Sequence, residues 1–246
     1  ARVRVNRHYV QADFKILTGL VEPHFMAGFS GGRKAVCPGL VDLQTIRNFH
    51  GHQFLGAPAA RNLNLHNNPC HDEAESVARI AGVDFTVNVI LSDDRRVVNA
   101  FAGDLVAAHA AAVEKAREYT GVAVSREADL VVTGCGGAPL DTTFYQCVKG
   151  IVSCLPAVRE GGRILAFGSC REGIGSAAYA ELMKRYQHDH HEFLRDISAP
   201  NVFTKDQWQL QMQCRALHKV GRNRLFFATD AFDVPTTTFT GAPEVE

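Results

Sequence analysis

The sequence predicts an α/β protein of two lobes with largely parallel sheets. Three observations carry that reading. Short β-branched or alternating apolar runs recur along the chain, helix-like segments lie between them, and a change of composition near "GVAVSREAD" is followed by a fresh strand, glycine turn and helix. In order, strands are predicted at residues 3–5, 14–20, 85–91, 130–133, 164–167 and 225–227, each bounded by Gly, Asp or Asn. Helices are predicted at 43–49 with Asp42 as N-cap, 72–81, 105–119 after Asp104, 145–158, 177–186 and 205–217. Residues 56–72, "GAPAARNLNLHNNPCHD", show no clear period and read as a long ordered loop, a type that is often functional. "SDDRR" at 92–96 reads as a hairpin-like turn. No internal repeat or low-complexity tract is present.

At 246 residues the chain can bury a sizeable core. Lysine plus arginine balances aspartate plus glutamate at 26 each, so no net field would hold it to nucleic acid, an anionic membrane or an acidic partner. That directs attention to small molecules. No apolar run approaches the ~20 residues of a membrane helix and no signal-peptide pattern opens the chain, so a soluble, cytoplasmic protein is expected. Seven cysteines without a C-x-x-C pair fit reduced thiols. The chain starts on Ala1 and enters "RVRV" directly, so a piece of something longer is expected.

The stretch "VEPHFMAGFSGGRKAVCPGLVDLQTIRNFH" carries the most chemistry. A Walker loop would need Ser or Thr after the lysine, but Ala35 follows Lys34, and that reading is rejected. The glycines Gly28, Gly31 and Gly32 still permit positive φ and close backbone approach to a ligand. His24, after the rigid Pro23, is either a general base near neutral pH or an imidazole packed at a strand end. Lys34 is either a solvated amine or one held near a cofactor, where it pairs with an anion or bonds covalently. His50 ends a short helical pattern and is a candidate metal ligand. His52 cannot share its helical face, so further ligands must come from elsewhere.

The pattern E-P-H-F-x-A-G-F-S-G-G-x-K, with a histidine sixteen residues after the lysine, resembles the lactate racemase family of nickel-pincer enzymes. The resemblance implies a nickel-pincer nucleotide, a pyridinium-3-thioamide-5-thiocarboxylic acid mononucleotide holding Ni, in a cleft between the lobes. It implies Lys34 at the cofactor's thioamide, His50 as nickel ligand and His24 as catalytic acid/base. "YQCVK" matches the family's Y-Q-x-x-K, implying that Tyr145, Gln146 and Lys149 contact a 2-hydroxy acid substrate. Tyr145 and Lys149, i and i+4, can converge on one carboxylate from one helix face. Trp208, the only tryptophan, sits where the family has one near the cofactor site; ordinary packing is the alternative. The resemblance divides the chain into 1–122, the second half of the N-terminal cofactor-binding domain, and 123–246, the C-terminal domain. Family members also carry an upstream half-domain with an Asp-Gly-Thr-Arg-type phosphate loop and a further catalytic histidine. Neither occurs here, so a missing N-terminal segment or chain is an expected partner.

"HDHH" at 188–191 is weighed as a metal site and read as a solvated polar turn, because adjacent residues on a helix point different ways. "GCGGAPLD" at 134–141 lacks G-x-G-x-x-G and reads as a close-approach turn above the site, which disfavours a conventional nicotinamide dehydrogenase. Two functions remain: a 2-hydroxy acid racemase or epimerase working by hydride transfer, with nickel and pyridinium as electron sink, or a non-catalytic α/β binding module on the same scaffold.

Overall fold

A computed structural model describes residues 3–200 and 202–232. The chain divides into two compact units, Ala1–Ala123 and Val124–Glu246. Each is a small sheet with helices, and each is built by local rules that can be followed residue by residue.

Unit 1 begins with a single helical turn, α1 (Arg7–Val10), capped by the Asn6 side chain. Strand β1 (Ile16–Leu20) follows, then a two-residue antiparallel pair, β2 (Pro23–His24) with β3 (Gly28–Phe29). Helix α2 (Leu43–Phe49) starts where predicted, because the Asp42 carboxylate accepts from the Thr45 amide at 2.9 Å and its hydroxyl at 2.6 Å. A short α3 (His52–Gly56) ends where the predicted loop begins, and α4 (Pro69–Ala81) starts inside that loop. Asn68 caps α4 and Pro69 takes its first turn, so the helix begins three residues ahead of the predicted start. Strands β4 (Phe85–Leu91) and β5 (Val97–Gly103) precede α5 (Leu105–Thr120), capped by Asp104.

The sheet order is β1-β4-β5. β1 runs parallel to β4, while β5 is antiparallel to β4, because the 92–96 turn is too short for a crossover. β5 escapes sequence prediction: as an edge strand it exposes alternate residues, and its Asn, Ala and Gly mask the period. Residues 3–5 do not form the predicted strand. Only Val5 pairs, in one bridge to Val41, before Asn6 diverts the backbone into α1. Ala112, Val113 and Ala116 of α5 pack with Val21, Phe29 and Ile90 in a buried cluster.

Unit 2 contains β6 (Ala128–Gly134), α6 (Phe144–Ser153), β7 (Val158–Phe167), α7 (Ala177–Arg185), α8 (His190–Ser198), α9 (Gln207–Val220) and β8 (Leu225–Ala228). Its sheet, β6-β7-β8, is wholly parallel. The helix predicted to reach residue 158 stops at Ser153, because Pro156 cannot continue the ladder; a 3-10 turn, Leu155–Ala157, leads into β7. Helix α9 packs against α6, α7, α8 and β7. That central position explains its burial on all sides, including four glutamines, Gln207, Gln209, Gln211 and Gln213. The predicted turn at "HDHH" ends early, since α8 begins at His190 with Asp189 as its cap. Phe144 anchors the core, edge-on to Phe227 at 5.0 Å. No described helix is long and apolar enough to cross a membrane.

Candidate active site

In unit 1 one glycine turn presents Lys34. Gly31 and Gly32 adopt φ of 76° and 50°, which admits the bend from β3 into the 3-10 turn Gly32–Ala35 that carries Lys34. The bend is fixed from two sides. The buried Asn88 on β4 accepts the Gly32 amide at 2.9 Å. Arg33, only 1% exposed, turns inward and donates to the carbonyls of Ala27 and Phe29 at 3.0 Å each.

The same guanidinium lies 2.6 Å from Nε2 of His109 on α5. Nε2 also lies 3.0 Å from the Ser30 carbonyl, so a donor and an acceptor meet at the same ring nitrogen. Burial, with Arg33 adding to it, pushes His109 down to about 3. Burial lowers Arg33 itself to about 10, which still leaves it cationic at neutral pH. Lys34 is thus presented by a turn whose neighbour is locked into the core.

His50 caps the C-terminus of α2. Its Nδ1 lies 3.1 Å from the Ile46 carbonyl and donates there, so the lone pair resides on Nε2, the tautomer a metal ligand needs. Burial pushes the ring down to about 4; the Ile46 contact opposes this, and the nearby Lys34 ammonium lowers it further. A neutral imidazole beside an amine is a donor set suited to nickel and a thioamide-bearing cofactor, so these residues fit the group the sequence implies. His24, on β2, is held differently. Its Nδ1 accepts from the amides of Met26 at 3.2 Å and Ala27 at 3.1 Å, which leaves the proton of the neutral ring on Nε2.

In unit 2, Tyr145, Gln146 and Lys149 on α6 line one open pocket of about 810 Å³, together with Lys205, Asp206 and Ser176. The Thr143 side chain caps α6 and sets its first turn at the pocket wall. The indole of Trp208 donates to the Tyr145 hydroxyl at 2.8 Å. That hydroxyl donates in turn to Asp206 across 3.4 Å, a weak contact that a ligand oxygen could replace. Ser176 donates to the other Asp206 oxygen at 2.5 Å. Burial, then the Asp206 charge, pushes the Tyr145 phenol up to about 12, so it serves as a neutral donor. The Gln146 side-chain carbonyl is buried without a hydrogen-bond partner, a vacancy that a hydroxyl donor would fill. With Asp206 already engaged, Lys149 and Lys205 leave the pocket suited to a small carboxylate bearing a hydroxyl.

The predicted residues therefore fall into two groups, one in each unit. His24, Lys34 and His50 belong to the glycine-turn region. Tyr145, Gln146 and Lys149 share the pocket, and Trp208 reaches it through the Tyr145 hydroxyl. Sequence reasoning missed Arg33, Asn88, His109, Ser176, Lys205 and Asp206. Nothing local distinguishes Arg33, Asn88 or His109. Asp206 takes a left-handed backbone, φ 65°, just before α9, where the sequence predicts ordinary helix.

A family model for the lactate racemase N-terminal domain matches residues 1–62, and one for the lactate racemase C-terminal domain matches residues 122–236. Lactate racemase of Lactiplantibacillus plantarum is 35% identical over 231 residues, 93% of this chain and 53% of that protein. Lactate racemase of Thermoanaerobacterium thermosaccharolyticum is 36% identical over 222 residues, 89% and 52% respectively. The chain thus spans about half the length of the curated relatives it matches. The structure of the lactate racemase apoprotein from the latter organism aligns with a TM-score of 0.90 at 32% identity, over 98% of this chain and 57% of that one. A crystal structure of a Thermotoga maritima protein, 16% identical with a TM-score of 0.68, covers 99% of this chain and 63% of its own and supports the fold alone. With both domain models matched in order, and the glycine turn and the Tyr-Gln-x-x-Lys helix each inside a matched segment, the chain belongs to the lactate racemase family.

Proposed function

We propose that this chain is the portion of a 2-hydroxy acid racemase or epimerase that anchors a nickel-pincer pyridinium mononucleotide and holds the substrate. The observation that carries the reading is the unit 2 pocket, where a neutral phenol, two ammonium groups and a buried amide carbonyl without a partner line one space. His50 would hold nickel through Nε2, and Lys34 would engage the thioamide. Trp208 would lie beside the cofactor while bracing Tyr145. When bound, the group supplies a ring that accepts hydride from the substrate α-carbon and returns it to either face.

The remaining work falls to side chains. Lys149 and Tyr145 bind the carboxylate, and Gln146 accepts from the substrate hydroxyl, which fixes the α-carbon before reaction. His24 handles the hydroxyl proton. As held here it presents Nε2–H, so to accept that proton the ring must turn and release the Met26 and Ala27 amides. The opposite-face acid/base histidine and the phosphate-holding loop are assigned to a segment or chain outside these 246 residues.

The test is intact-mass and metal analysis of protein made alongside the cofactor-making machinery, with chiral chromatography of D- and L-lactate. Expected are a cofactor adduct at Lys34 and about one nickel per chain, lost in His50→Ala. Lys149→Ala should lower kcat/KM on the order of 100-fold, in both directions as an equilibrium constant of one between enantiomers requires, with KM rising because a charged contact to the carboxylate is lost. If KM for lactate and kcat/KM both stay within a few-fold of the unaltered protein, the clamp is wrong. If hydroxy acid binds without interconversion in the complete protein, the binding-module reading replaces this one.

A further inference from the structure

We propose that His190, His191 and His218 form a binding site for a late first-row divalent metal, which clips the start of α8 to the last turn of α9. The three residues offer ligand atoms that all lie within 4.8 Å of one another. The ring centroids of His190 and His191 are 4.1 Å apart, and those of His191 and His218 6.0 Å. The site shares no residue with the pocket around Tyr145 or with the glycine-turn region.

The fold creates this cluster, which explains why the local sequence argued against it. His190 and His191 are neighbours in the first turn of α8, where one helix alone could not aim both at an ion. The third ring comes from α9, 27 residues after His191, and α8 packs against α9. Around an ion bound at ~2.0–2.1 Å, tetrahedral nitrogens sit ~3.4 Å apart, so closure needs shifts of roughly 1 Å. Rotation of the two exposed rings, His191 and His218, supplies that movement.

A second observation points to a ligand. Nε2 of His190 is buried and has no hydrogen-bond partner. An orphaned buried nitrogen is costly, and a metal ion would satisfy it. Imidazole sets of this kind take zinc, nickel or copper in preference to magnesium or calcium. Two features oppose the ion and limit affinity: the Arg222 charge acting on His190, and the positive end of the α8 dipole. Asp189, at the cap of α8, partly offsets them.

The experiment is a titration of the metal-free full chain with zinc sulfate by calorimetry at pH 7.5, repeated on His50→Ala, His191→Gln and His218→Gln. The expected result is one zinc bound at a Kd of roughly 10 μM or tighter in the unaltered chain. That event persists in His50→Ala, which separates it from the proposed nickel ligand. It weakens roughly tenfold or more in each of the other two variants. Saturating zinc should also raise Tm by a few degrees in the unaltered chain, and not in His191→Gln or His218→Gln. Should a variant fail to fold, copper(II) bound to the unaltered chain is examined by pulsed electron paramagnetic resonance, where three coupled imidazoles are expected. No zinc binding tighter than about 100 μM, binding indifferent to both substitutions, or a single coupled imidazole would each overturn the site.

Discussion

Replacing Arg33 with methionine tests whether the Lys34 turn is held by a buried cation or merely passes over one. Methionine keeps much of the length and apolar volume but removes every donor. The Phe29 carbonyl then loses its guanidinium donor, while the Ala27 carbonyl keeps the Phe29 amide at 2.9 Å and Nε2 of His109 keeps the Ser30 carbonyl at 3.0 Å. At about 1–3 kcal/mol for a buried group left unsatisfied, with smaller losses from the two that keep a partner, the gross cost is about 2–4 kcal/mol. Relief of the guanidinium's own desolvation, the cause that pulls it down to about 10, returns part of this. The net expectation is about 1–3 kcal/mol, because the groups left behind are neutral and no uncompensated charge remains. An apolar swap is neutral only when both partners are replaced, and backbone carbonyls cannot be. The assay is urea denaturation followed by far-UV circular dichroism, with hydrogen exchange of residues 19–36 read by mass spectrometry. A loss below about 1 kcal/mol, with exchange in that segment unchanged, would refute the anchoring argument.

Three further outcomes are expected. His50 and His109 are pushed down to about 4 and about 3 from an ordinary 6.5, so below pH 6.5 the unfolded chain binds protons that the folded chain does not. Their contribution to stability is complete above that pH and is lost on acidification, by up to about 2 kcal/mol each between pH 7 and pH 5; urea melts that coincide at the two pH values would contradict this. Asp206→Asn should lower the Tyr145 phenol from about 12 without restoring 10, because burial is the larger cause; a carbon-13 label on Tyr145 followed against pH reads it directly. Nitrogen-15 spectra of His24 should show the Nε2–H tautomer, and finding Nδ1–H would remove the two amide contacts and the ring-turn step built on them.

The sequence announced most of this fold because its caps and periods are local. Asp42 and Asp104 start their helices as predicted, and β4 forms over its predicted span, although it buries Thr86, Asn88 and Ile90 and leaves the apolar set of Val87, Val89 and Leu91 only partly buried. What stayed hidden was set by partners distant along the chain. Arg33 reads as a surface residue until His109, 76 positions away, is brought to it. Asp206 reads as the first turn of a helix until the Tyr145 hydroxyl, 61 positions earlier, arrives beside its carboxylate. β5 was missed because an edge strand needs little apolar patterning. The unit 2 clamp was legible for the opposite reason: i, i+4 spacing on α6 decides by itself that Tyr145 and Lys149 share a face.

The two units set their ionisable groups in opposite ways. In unit 1 burial, reinforced by Arg33 at His109 and by Lys34 at His50, keeps these two imidazoles neutral. In unit 2 the priority is reversed, since burial and the Asp206 carboxylate hold the Tyr145 phenol in its protonated form, leaving Lys149 and Lys205 to meet a carboxylate. Asp206 is what makes this compatible with the proposed substrate carboxylate. Its two oxygens are occupied by Ser176 and Tyr145, so it raises the phenol while its repulsion of an incoming carboxylate is blunted by the hydrogen bonds it already accepts. Ser176→Ala would withdraw one of those bonds, and the substrate carboxylate, not the cofactor, should register the loss.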